Sequence, residues 1–130
     1  MTGLSEDDYY LKKGKIAYKE SNYNQAIEFF QKVLELNEKN RDALYYTGLA
    51  YNAIGDYSKT ISYLEKVIEY KVEDTVFWTT IGNAYEKLKN YSEALRAYKN
   101  AFKITSIDTD KGLLIAKIDY LVLKVDYSEE

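Results

Sequence analysis

Residues 78–98 read WTTIGNAYEKLKNYSEALRAY, and they set a glycine, Gly82, inside what is otherwise a helical pattern. Trp78, Ile81, Tyr85 and Leu88 recur at helical spacing and share one face. Lys89-Asn90 interrupts them, and Ala94, Leu95, Tyr98 and Ala101 then form a second stripe of the same period. The stretch predicts two helices joined by a tight turn. A glycine inside a helix costs about 1 kcal/mol relative to alanine, so Gly82 requires a compensating contact.

The same pattern occurs upstream. Gly14, Gly48 and Gly82 are separated by 34 residues, as are Ala26, Thr60 and Ala94, and Tyr23, Tyr57 and Tyr91. Three columns at one period define an internal repeat. Ser21-Asn22 and Gly55-Asp56 stand where Lys89-Asn90 does, as turn-forming pairs between helices. Asn40 and Asp74 precede the second and third units as N-caps, and Ser5 with Asp8 has the form of a capping box. Glycines in phase predict that the first helix of each hairpin closely approaches the second. The expected receiving surface is the small residue Ala26, Thr60 or Ala94.

The bulk composition narrows the function. A chain of 130 residues suits one domain, expected over 1–130, with a core that needs no staples. Apolar residues are 46% and charged residues 30%, a balance of ordinary globular proteins, and no apolar run is long enough to span a membrane. The start, MTGLSEDDYY, lacks the basic and apolar regions of a secretory signal, so the expected location is cytoplasmic. Cysteine and histidine are absent, which removes disulfides, the commonest general base and the usual zinc ligands. Neither a metal nor a cofactor is expected. A net charge of −3 argues against nucleic acid as the partner. Proline is absent too, which suits helices joined by short turns.

No catalytic constellation emerges. The acid pairs Asp7-Asp8 and Glu73-Asp74 stand at helix starts, where carboxylates favour the dipole. The glycines are isolated, without a phosphate-loop pattern. Asn90-Tyr91-Ser92 fits a glycosylation acceptor only as a chance triplet in a turn. Most of the fifteen tyrosines belong to the repeat, and Trp78 reads as core; Tyr18, Tyr45 and Tyr46 are surplus to the core stripe.

The chain resembles the tetratricopeptide repeat family, whose pattern runs from a large residue through leucine-glycine, tyrosine and alanine to an aromatic and a proline. The third unit carries it as Trp78, Ile81-Gly82, Tyr85, Ala94 and Tyr98. The second has Leu44, Thr47-Gly48, Tyr51, Thr60 and Leu64; the first has Tyr10, Lys13-Gly14, Ala17, Ala26 and Phe30. The closing proline is replaced by Glu38, Val72 and Asp108. The resemblance implies an all-α fold of three hairpins, 7–40, 41–74 and 75–108, in a short right-handed superhelix closed by a capping helix over about 109–126. It also implies a concave groove, lined by the first helices, that binds segments of other proteins.

By that register the groove residues are Leu11, Lys12, Lys15, Tyr18 and Lys19, then Tyr45, Tyr46, Leu49 and Asn52, then Thr79, Thr80, Asn83, Glu86 and Lys87. Lys12, Lys15 and Lys19 share one side of their helix. The expected ligand is a peptide with acidic and apolar or aromatic residues. The family's grip on the C-terminal carboxylate of heat-shock chaperones uses lysines and two asparagines. The matching positions here are Leu11, Lys15, Tyr46, Val76 and Thr80, so chaperone carboxylate ligands are not expected.

In the capping helix, Leu114, Ile115, Ile118, Leu121, Val122 and Val125 form a broad face expected to dock on the third hairpin. Leu113, Ala116, Tyr120 and Leu123 form a second stripe, with Asp119 and Asp126 on one edge and Lys117 and Lys124 on the other. That stripe has three readings: it lines the inner surface or packs on the end of the stack, it serves self-association as a homodimer or the docking of another chain, or the helix is interior to a chain that runs on past Glu130. Thus the expected function is a non-enzymatic protein- or peptide-binding scaffold, with self-association through the last helix as the alternative.

Overall fold

The computed structural model describes residues 3–71 and 74–128. Val72 and Glu73, named above, lie outside them. In chain order the elements are α1 (Glu6–Lys19), α2 (Tyr23–Leu36), α3 (Arg41–Ile54), α4 (Tyr57–Val67) with a 3-10 turn (Ile68–Tyr70), α5 (Thr75–Lys87), α6 (Tyr91–Ile104) and α7 (Asp108–Ser128). Among the described residues there is no strand. The chain divides after Lys71 into two compact units.

Local chemistry sets the helix ends. The Ser5 hydroxyl accepts from the Asp8 amide, Asn40 from Ala43, Asp56 from Lys59, Asp74 from Val76 and Asn90 from Glu93. Each satisfies a backbone donor that the first helical turn leaves open. The three hairpin turns repeat one another at backbone level. The amides of Asn22, Asp56 and Asn90 donate to the carbonyls of Ala17, Tyr51 and Tyr85 at 2.8, 2.9 and 2.9 Å. One residue before each donor the backbone is left-handed, at Ser21 (φ 64°), Gly55 (φ 90°) and Lys89 (φ 64°). This is the helix-ending geometry that glycine favours, and only the second turn has one. Ser21→Gly and Lys89→Gly are therefore expected to stabilise the fold by about 0.5–1 kcal/mol each, and Gly55→Ala to destabilise it by about 1 kcal/mol. Urea unfolding curves measure the three changes.

In the unit before Lys71, α1 packs on α2, α2 on α3 and α3 on α4. Ala17, Ala26, Phe30, Val33 and Ala43 form a buried cluster, with Tyr10, Leu11, Tyr18, Phe29, Leu34 and Tyr46 against it. In the second unit α6 packs between α5 and α7. Its cluster is Ala94, Tyr98, Ala101, Leu114 and Leu121, with Trp78, Tyr85, Tyr91, Leu95, Phe102 and Ile118 around it.

The glycine contacts differ from the expectation in their partner. A Cβ at Gly14 would lie 2.5 Å from Phe30 Cε1, at Gly48 2.5 Å from Leu64 Cδ2, and at Gly82 2.8 Å from Tyr98 Cε1. The residue seated on each glycine is thus the large one a turn beyond the small column of Ala26, Thr60 and Ala94. At Gly48 the Thr60 carbonyl also comes near, 3.5 Å from that position. The missing Cβ makes room for a side chain, and each hairpin locks through one.

Two apolar stripes also need correction. On α5, Phe77, Thr80, Ile81, Gly82 and Ala84 are the buried residues, whereas Trp78 and Tyr85 are half-buried and Leu88 is exposed. The core of α5 is rotated toward Phe77, whose ring meets Trp78 edge-on at 5.0 Å. On α7 the docked face narrows to Leu114, Ile118, Leu121 and Val125. Ile115 and Val122 remain 48% and 37% exposed. α7 leans chiefly on α6, and one helix covers a narrow seam rather than a broad face. α7 also runs one residue further at its start and two at its end than the 109–126 expected.

Candidate interaction surfaces

In the first unit, α1 and α3 bring Lys15, Tyr18, Tyr45 and Tyr46 together. Tyr18 meets Tyr46 edge-on at 5.5 Å and Tyr23 at the same distance. Tyr46 stacks on Phe30 at 5.8 Å and sits 5.7 Å from Tyr45. The Lys15 ammonium lies 5.4 Å from the centroid of the Tyr46 ring and 2.9 Å from the Asp42 carboxylate. Burial, and then the neighbouring Tyr23 and Tyr46, raise the Tyr18 phenol above its ordinary value. The result is a half-buried aromatic ledge with a cation already held by an acid.

Several groove residues turn out otherwise than the register implied. Leu11, Tyr18 and Tyr46 pack against the first core cluster rather than standing apart from it. Leu49 and Thr80 are each only 8% exposed, so neither presents more than an edge. Lys12, Lys19 and Lys87 are exposed, and Asn52 and Asn83 are half-buried. With Lys15 paired to Asp42, the three-lysine stripe is less cationic than its sequence suggests.

In the second unit a cavity of about 490 Å³ opens between α5 and α7. Val76, Thr79 and Asn83 line it from α5, Leu113, Leu114 and Lys117 from α7, and Ile107, Asp110 and Tyr98 complete it. The Thr79 hydroxyl donates to the Thr75 carbonyl at 2.9 Å. Beside the cavity the Tyr98 hydroxyl donates to Glu86 Oε1 at 3.0 Å, and the Lys117 ammonium donates to the same oxygen at 3.3 Å. Lys117 also lies 5.3 Å from the Tyr98 ring centroid. Burial first, then the Glu86 charge, push the Tyr98 phenol well above the ordinary tyrosine value, so it stays a donor. An apolar wall thus ends in fixed polar groups, the composition of a side-chain-sized binding cleft.

The sequence reading placed Asn83 on the groove and Leu113 on a self-association stripe; the structure sets both in one cleft. It missed Ile107, Asp110 and Lys117. The signal was available, since Leu113 and Lys117 follow Thr79 and Asn83 by the 34-residue step. The other members of the stripe, Ala116, Tyr120 and Leu123, are exposed on α7. Among the described residues no cluster of acids is placed to hold a metal, and no helix is long and apolar enough to cross a membrane.

Comparison with known proteins agrees with this architecture. An uncharacterized protein of Methanocaldococcus jannaschii is 35% identical over 54 residues, 42% of this chain and 63% of that protein. The match spans less than two thirds of the relative's length. The TPR domain of Arabidopsis OM64 superposes with a TM-score of 0.76 at 21% identity, covering 88% of this chain and 93% of that one. The first TPR of Spaghetti (RPAP3), bound to the HSP90 peptide SRMEEVD, does so with a TM-score of 0.78 at 15% identity, covering 93% and 94%. Residues 19–101 match the family model described as anaphase-promoting complex, cyclosome, subunit 3. That model takes in most of the three glycine-marked hairpins, and the chain belongs to this tetratricopeptide repeat family.

Proposed function

We propose that the chain is a non-enzymatic scaffold that holds a segment of another protein on the exposed sides of its first-of-hairpin helices. The observation that carries this is the cleft between α5 and α7, where Val76, Thr79 and Leu113 offer an apolar wall and Asn83, Asp110 and Lys117 offer polar ends. An asparagine amide both donates and accepts, which suits it to a peptide backbone. The aromatic ledge of Tyr18, Tyr45 and Tyr46 supplies a second surface, fitted to apolar or aromatic side chains. Both are built from packed helices, so little ordering is needed on binding.

A peptide-bound relative supports the class of ligand, since the RPAP3 domain is described with an HSP90 peptide. The positions matching the family's carboxylate grip here include Leu11, Tyr46, Val76 and Thr80, and their one lysine, Lys15, is engaged by Asp42. The proposed segment is therefore read along its length rather than by its terminal carboxylate.

Affinity capture beside a Tyr45→Ala/Asn83→Ala variant, followed by titration of the recovered segment, tests the proposal. The variant is expected to bind at least about tenfold more weakly while losing less than about 2 kcal/mol of stability. Equal binding by both proteins, or unfolding of the variant on the scale of a core truncation, would contradict it. A second reading, self-association, draws on the exposure of Leu113, Ala116, Tyr120 and Leu123. Sedimentation shows a concentration-dependent dimer, broken by Leu123→Glu, if that reading is right.

A further inference from the structure

The 34-residue phase continues into α7. Asp108 follows Asn40 and Asp74 at the same step, and Ala116 follows Gly14, Gly48 and Gly82. In each earlier unit the glycine's side of the helix is covered by the next helix, which lays Phe30, Leu64 or Tyr98 on it. On α7 the equivalent side carries Ile115, Ala116, Asp119, Val122, Leu123 and Asp126, and all six are exposed. Ile115 stands at the phase of Lys13, Thr47 and Ile81, the first exposed and the other two buried in their hairpins. At Ala116 and Asp119, α7 thus presents to solvent positions whose counterparts the three hairpins cover.

We infer that this side of α7 docks an amphipathic helix of another protein, with its apolar stripe along Ile115, Ala116 and Leu123 and basic residues toward Asp119 and Asp126. The shape argument comes from the chain itself, where a helix fills this phase three times. The charge argument comes from Asp119, whose counterparts are the packing residues Ala17, Tyr51 and Tyr85. A carboxylate at such a position is matched by a cation on the occupant. A second copy paired through the same face does not supply one. It brings the same two acids, while Lys117 is drawn to Glu86 and Lys124 lies over the Tyr91 and Tyr120 rings at 5.8 and 5.5 Å.

Two synthetic amphipathic helices of about 18 residues, five turns long, test this against the full isotope-labelled chain by NMR. They share one leucine stripe with a central phenylalanine and differ only in lysine or glutamate along its edges. The lysine peptide is expected to shift the amides of residues 112–126 and to bind about tenfold more tightly than the glutamate peptide. Asp119→Lys/Asp126→Lys, at two exposed positions, is expected to invert that order with the thermal midpoint little changed. No shift on α7, equal affinities, or an order that survives the charge reversal would overturn the inference. A dimer in sedimentation that Ala116→Arg dissociates would overturn it as well, by giving the face to a second copy.

Discussion

Tyr98→Ala is expected to lower the unfolding free energy by about 3–5 kcal/mol, the range for emptying a buried aromatic site. The ring is 1% exposed and sits at the centre of the cluster that joins α6 to α7. It fills the notch at Gly82, and its hydroxyl donates to Glu86. Removing the side chain leaves a void that Ala94, Ala97 and Ala101, all already small, do not fill. Tyr98→Phe separates the two roles, since it keeps the ring and loses only the hydrogen bond to a carboxylate, worth about 1.5–3 kcal/mol. The phenol also sets a pH dependence. Its folded pKa is raised by burial and by Glu86 above the unfolded value near 10. The associated stability is complete below about pH 10 and is lost as the pH rises further toward the folded value. Wild type will therefore weaken in alkali more steeply than Tyr98→Phe, as thermal midpoints between about pH 9 and 11 will record.

Gly82→Ala is expected to destabilise the protein although alanine is the better helix former. The added Cβ would stand 2.8 Å from Tyr98 Cε1, inside normal contact. The ring does not retreat easily, being 1% exposed and tied at its hydroxyl. Overpacking of this kind costs about 1–3 kcal/mol, against a propensity gain of about 1 kcal/mol. The net loss is up to about 2 kcal/mol by chemical denaturation. Gly14→Ala is expected to match it, because Phe30 is fully buried and its Cε1 would stand closer, at 2.5 Å. Gly48→Ala is expected to cost a similar amount, because the fully buried Leu64 sets both Cδ2 and Cγ, at 2.5 and 2.6 Å, against the added Cβ.

Most of the fold was legible because it is written three times. The caps Ser5, Asn40 and Asp74 and the turns at Ser21, Gly55 and Lys89 are local features whose chemistry depends only on neighbouring residues. The partner of each glycine was not legible in the same way. Ala26 and Phe30 lie one turn apart on the same helix, and only the depth and tilt of packing decide which of them meets Gly14. The same limit affected α7, where Ile115 and Val122 belong to one apolar arc with Leu114 and Leu121, but α6 covers only part of it. The candidate surfaces were legible as far as the repeat register reached. Asn83 and Leu113 were both singled out, yet from separate arguments, and their meeting in one cleft follows from how α7 leans on α6. Lys15 was visible as a cation, but its pairing with Asp42 joins residues on two helices. No spacing rule reports that.

These elements tie function to one device. A notch in the first helix of a pair accepts a large side chain from the second, and α7 repeats the phase of the first helix with Ala116 at the glycine position and an exposed face beside it. If the device is right, the fold and the proposed helix-docking face have the same cause.

The most direct measurement is therefore the stability change of Gly82→Ala made in wild type and again in a Tyr98→Ala background. The expected result is a change of sign, from a loss of up to about 2 kcal/mol in wild type to a gain of up to about 1 kcal/mol once the ring is gone and only helix propensity remains. An equal loss in both backgrounds would contradict it, because Tyr98 would then not be what the glycine accommodates.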